Sequence, residues 1–87
     1  MPRLSSTAAS ILTLLNNVND LITESSDREG ARDVMRALRV YAKNKGFTIP
    51  EDKVENFLQV LLDSKPYTLT SLIKDIAEDV VLIDRKS

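Results

Sequence analysis

Eighty-seven residues make one small domain, and a composition of 43% hydrophobic and 29% charged residues with two Gly and three Pro excludes a largely disordered chain. With no Cys, His or Trp, the chain can form no disulfide, Cys- or His-held zinc or haem, and no Ser-His or Cys-His nucleophile pair. Twelve Lys and Arg against thirteen Asp and Glu leave a net charge of -1, so any attraction to nucleic acid or an anionic membrane has to be local.

The apolar pattern predicts an all-α fold, a compact bundle of four helices over about 7–24, 27–44, 50–63 and 69–82, in a single domain 1–87. In the first, Leu4, Ala8, Ile11, Leu15, Val18 and Ile22 step by 4, 3, 4, 3 and 4, the stripe of a helix. Ser5 or Ser6 stands where an N-cap belongs, Leu14 and Leu21 widen the buried face on one flank, and Leu12 falls on the other. From Leu4 to Asn19 there is no charge; Ser10, Thr13, Asn16, Asn17 and Asn19 make the polar side. Such a face is either an exposed helix decorated with small polar groups or a surface that a partner covers. The spare apolar area of Leu12, Leu14 and Leu21 points to the second, as a homodimer or with another protein.

Ser26 with Glu29 fits a capping box for the second helix, whose inward residues are Ala31, Val34, Met35, Leu38, Tyr41 and Ala42. Asn44-Lys45-Gly46-Phe47 has the form of a glycine-terminated helix, Gly46 taking the left-handed conformation and Phe47 folding back. Pro50 falls in the first turn of the third helix, where Thr48 and Glu51 form a second capping pair, and Val54, Phe57, Leu58 and Leu61 face the core. Ser64-Lys65-Pro66 ends that helix, because the residue before a proline avoids helical angles. The fourth helix starts near Thr68 or Thr70 and turns Leu69, Leu72, Ile73, Ile76, Ala77 and Val80 inward. Val80-Val81-Leu82-Ile83 reads equally as a last helical turn, a short strand or an apolar tail.

The sharpest polar feature is on the second helix, where Arg28, Arg32, Arg36, Arg39 and Lys43 recur every three or four residues. At about 100° per residue they share an arc of roughly 80°, away from an apolar arc centred on Val34 and Leu38. Two readings follow: a solvated face paired within the helix, Glu29 to Arg32 and Asp33 to Arg36, or a binding surface for carboxylate or phosphate. Residues 27–46 carry six basic against three acidic groups, net +3, while residues 47–84 carry three against eight, net -5. The ridge therefore meets acids of the third and fourth helices, or the acidic surface of another protein. Nucleic acid is the less favoured partner. A recognition helix opening with Glu51, Asp52 and Glu55 repels phosphate, and Asp75, Glu78 and Asp79 oppose a site at the start of the fourth helix.

Asp75 and Asp79 share a helix face but lack the further oxygen ligands of a calcium loop, so they read as solvated acids, with Lys74 to Glu78 as an available pair and no metal expected. Tyr41 and Tyr67 read as half-buried packing residues. No apolar run reaches the roughly 18–20 residues of a membrane span. The opening Met-Pro-Arg-Leu-Ser-Ser lacks the apolar core of a signal peptide, so a soluble, cytoplasmic, membrane-free protein is expected. In size and layout the chain is similar to the small helical regulators, inhibitors and immunity proteins of bacteria and phages, a likeness of form that many unrelated bundles share. The sequence thus leads to a non-catalytic regulator without cofactor, binding a protein through Arg28, Arg32, Arg36, Arg39 and Lys43, with Leu12, Leu14 and Leu21 as an oligomer interface. The alternative is a nucleic-acid-binding transcriptional regulator using the same ridge.

Overall fold

Ser5 caps the first helix, its hydroxyl oxygen accepting from the Ala8 N–H at 3.1 Å, and α1 runs Ser6–Thr23. In the computed structural model, which describes residues 3–86, α2 (Arg28–Asn44), α3 (Glu51–Val60) and α4 (Pro66–Lys86) follow, with no strand among the described residues. Met1 and Pro2, part of the opening segment read above, lie outside them. The fold is the expected all-α four-helix bundle. Each helix packs on its neighbours in the chain, and α1 closes the ring against α4. The core joins Ile11, Leu15, Val18 and Ile22 of α1 to Met35 and Leu38 of α2, Val54 and Phe57 of α3, and Leu69, Ile73, Ile76 and Val80 of α4. No polar or charged residue is buried among the described residues.

Several helix ends differ from the expectation. The cap of α2 is Asp27, whose Oδ1 accepts from the Gly30 N–H at 2.9 Å, while Ser26 takes a left-handed φ of 53° in the preceding turn and makes no capping box with Glu29. The two prolines have exchanged roles. Pro50 is the residue before α3, which has no side-chain cap, so Thr48 and Glu51 form no capping pair. Pro66 is instead the first residue of α4, where its missing N–H would have had no helical partner. That start leaves Thr70 inside the helix, its hydroxyl oxygen 3.0 Å from both Pro66 O and Asn19 Oδ1 of α1. It also puts Tyr67 in the first turn, 71% exposed and not half-buried. The helix α3 ends at Val60 and not at 63, and residues 61–63 form a turn.

The second helix ends as read. Gly46 has φ 80°, its N–H donates to Lys43 O at 3.1 Å, and the Phe47 N–H reaches back to Ala42 O at 2.8 Å, which is a Schellman motif. The apolar run near the C-terminus is helical: Val80 is buried, and Ile83 lines a hollow with Lys45, Gly46 and Phe47. Asp84 crosses to the start of α1, accepting from the Ser5 N–H at 3.1 Å and from its hydroxyl. No acid of its own stands in the first turn of α1, so α4 supplies the negative charge that the positive end of the helix favours.

Candidate functional site

The basic ridge of α2 divides in two. Arg28 donates from its guanidinium to the carbonyl oxygens of Leu61 and of Ser64, the latter at 3.0 Å, and so caps the C-terminal end of α3 from another helix. Arg39 pairs with Glu55 and, at 3.7 Å, with Glu51, both on α3. Arg32, Arg36 and Lys43 make no ion pair among the described residues, and the pairs Glu29 to Arg32 and Asp33 to Arg36 do not form. The ridge thus lies against acids of α3 at one edge and faces outward along the other.

Helix rotation causes the division. The buried residues of α2 are Ala31, Met35, Leu38 and Ala42, with Val34 and Tyr41 only half-buried, so the core arc is turned roughly 50° toward the ridge from the arc centred on Val34 and Leu38. Arg28 and Arg39 stand seven before and four after Met35, within about 20° and 40° of it, so they border the core and reach α3. Arg36, about 100° away, points out.

Val40 escaped the sequence reading. It is 60% exposed, beside Arg36 and Lys43, and belongs to no buried stripe. The signal was present, since an apolar residue with Arg36, Ala37, Lys43 and Asn44 at its helical neighbours has no core to join. Ile49 was also missed. It is buried although it lies in the 45–50 connection, where no helical period marks it. Together with Ala42, Phe47 and Val54 it lines a groove of about 350 Å³ whose polar members are Arg39, Lys43, Thr48 and Glu51.

The three leucines assigned to an oligomer interface are each half-buried against the core. Leu12 lies in a hollow with Asn19 of α1 and with Thr70, Ile73, Lys74 and Ala77 of α4, so part of the apolar surface that suggested a dimer is covered within the chain. On the uncharged face, Ser10 and Thr13 donate their hydroxyls to Ser6 O and Ala9 O of their own helix, each at 2.9 Å.

The acids of α4 are not all solvated. Asp79 is mostly buried, and its Oδ2 lies 2.6 Å from Lys53 Nζ of α3. Hydrogen bonding to Asp79, reinforced by the charges of Asp79, Asp75 and Asp52, raises the Lys53 amine above its ordinary 10.5 against an opposing desolvation effect. Lys74 and Glu78 form no pair among the described residues. No group of three or more carboxylates is placed to hold a metal ion among those residues, and no helix there is long and apolar enough to cross a membrane.

Fold and site together define a four-helix domain whose second helix carries a basic face that α3 engages at Arg28 and Arg39 alone among the described residues. No family model, curated protein or solved structure matches the chain.

Proposed function

We propose that this chain is a small non-catalytic regulator of inhibitor, immunity or adaptor type that binds another protein through the outward face of α2. The observation that carries the reading is the division of the ridge: Arg28 and Arg39 are engaged by α3, while Arg32, Arg36 and Lys43 have no acidic partners among the described residues, and Arg36 and Lys43 border the exposed Val40. Cations alone are ordinary solvation; cations bordering exposed apolar surface suit a protein partner, where Arg is enriched and the centre is apolar. Arg28 therefore supports the face from behind, and Arg39 stands at its edge, held by Glu55 on the side toward α3. The nucleic-acid alternative uses the same cations, but Glu51 and Glu55 flank them and repel phosphate.

Affinity capture from nuclease-treated extract of the source cell tests this. A protein retained by the wild type, and lost with Arg36→Glu and Lys43→Glu but not with Arg85→Glu, is the expected result. Loss of every captured protein on nuclease treatment, together with tight binding of random duplex at about 150 mM salt and a steep salt slope, would establish the nucleic-acid reading instead.

A further inference from the structure

We infer that the groove between the C-terminal half of α2, the 45–50 connection and the start of α3 seats an acidic amphipathic segment of the partner, with an apolar side chain as its anchor. This rests on the protein-binding reading above and specifies the chemistry of the partner. The floor is apolar: Ala42, Phe47, Ile49 and Val54 line the groove of about 350 Å³, near the lower end of the roughly 300–1,000 Å³ range of ligand pockets. A hollow lined by Arg36, Arg39, Val40, Lys43 and Glu51 adjoins it, with Arg39, Lys43 and Glu51 bordering both, so the two lie side by side in one strip of surface.

Charge decides the occupant. Along that strip three cations, Arg36, Arg39 and Lys43, stand with Glu51, and Glu55 pairs with Arg39 from α3, which leaves Arg36 and Lys43 as the positive excess. Arg36 and Lys43 have no ion-pair partner among the described residues, and Glu51 is 69% exposed and stands 3.7 Å from Arg39. An incoming carboxylate can replace Glu51 on the outer side of Arg39 while Glu55 keeps the inner side. The apolar floor selects against a nucleic-acid duplex, which presents its phosphate backbone and has nothing to seat on Phe47 and Ile49. Arg36 and Lys43 are seven residues apart, about 10 Å along α2, the spacing at which an amphipathic helix repeats its face over two turns. Glu51 then acts as a built-in competitor of the partner's acids.

The test uses the full chain, labelled with ¹⁵N, and a synthetic amphipathic helix with leucines on one face and glutamates on its flanks. A counterpart with Lys in place of Glu is the control. Amide shifts over residues 40–54, with affinity falling between about 50 and 300 mM salt, are expected for the glutamate peptide alone. Lys43→Glu weakens it about fivefold and Glu51→Gln strengthens it about twofold, opposite effects that a purely structural role would not produce. Thermal melts confirm that both variants fold. Absence of shifts with the glutamate peptide, equal binding of the lysine peptide, or indifference to both substitutions would overturn the inference. Shifts confined to Arg32, Arg36 and their neighbours overturn the groove but keep the outward face of α2 as the docking surface. Shifts confined to Leu12 and Thr70, between α1 and α4, overturn both readings.

Discussion

Arg28 and Arg32 are one helical turn apart on α2, identical in chemistry and separated only by what each can reach. Arg28 satisfies two carbonyl oxygens in the turn that follows α3, while Arg32 has no hydrogen-bond or ion-pair partner among the described residues. Hydrogen bonds from a charged donor contribute about 1.5–3 kcal/mol, and their removal here leaves partly buried carbonyls without a protein partner. Arg28→Met is therefore expected to lower the unfolding free energy by about 1–3 kcal/mol, and Arg32→Met to stay within about 0.5 kcal/mol of wild type. Urea midpoints at constant slope measure both. Equal midpoints for the two variants would show that the cap of α3 carries no energy. The division was partly legible, because Arg28 and Arg39 are the ridge members nearest Met35 in helical angle. What they touch was not legible, because Leu61 and Ser64 lie more than thirty residues away along the chain.

At the scale of elements, the end of α2 was readable and its start was not, and the reason is conformational. A left-handed residue after a helix is served best by Gly, so Asn44-Lys45-Gly46-Phe47 has one reading. Ser26 and Asp27 are both competent caps, and the choice depends on how the turn from α1 leaves Leu21, whose carbonyl accepts from the Asp27 N–H at 2.8 Å. The two prolines were ambiguous in the same way, since Pro is compatible both with the residue before a helix and with its first position. A Cβ on Gly46 would meet nothing within 4 Å, so only its φ of 80° opposes substitution. Gly46→Ala should cost about 1 kcal/mol, a fall in Tm of about 4–8 °C, and Gly46→Asn distinctly less, because Asn tolerates the left-handed region. Equal loss for the two in thermal melts would mean that the cost lies in packing and not in φ.

For the molecule as a whole, the radius of gyration of 12.4 Å is close to the roughly 12 Å expected of a folded domain of this length, so no element stands away from the bundle. The charge segregation along the chain is used within it where Arg39 of α2 pairs with Glu51 and Glu55 of α3, while Arg28 ties α3, the shortest helix, to α2 through carbonyl oxygens and Lys53 ties it to α4 through Asp79. Lys53 gives this arrangement a pH signature. Its amine is raised in the folded state, so its contribution is present in full below the ordinary value of 10.5 and is lost as pH rises through the raised value. The stability difference between wild type and Lys53→Met should be constant from pH 7 to about 10 and shrink above 10.5, as read by urea denaturation across that range. A difference that grows in the alkaline arm would contradict the pairing.

Four helices, their stripes and the glycine stop are properties of short stretches, set by the 3.6-residue period and by local backbone preference, so the linear sequence determined them alone. The rotation of α2 about its axis, the transfer of Asp84 to the start of α1, and the split of one basic ridge into bound and unbound halves depend on which side chains meet across the bundle. Only the tertiary structure decided these, because the partners of a long charged side chain are fixed by distance in space, which periodicity along the chain does not encode.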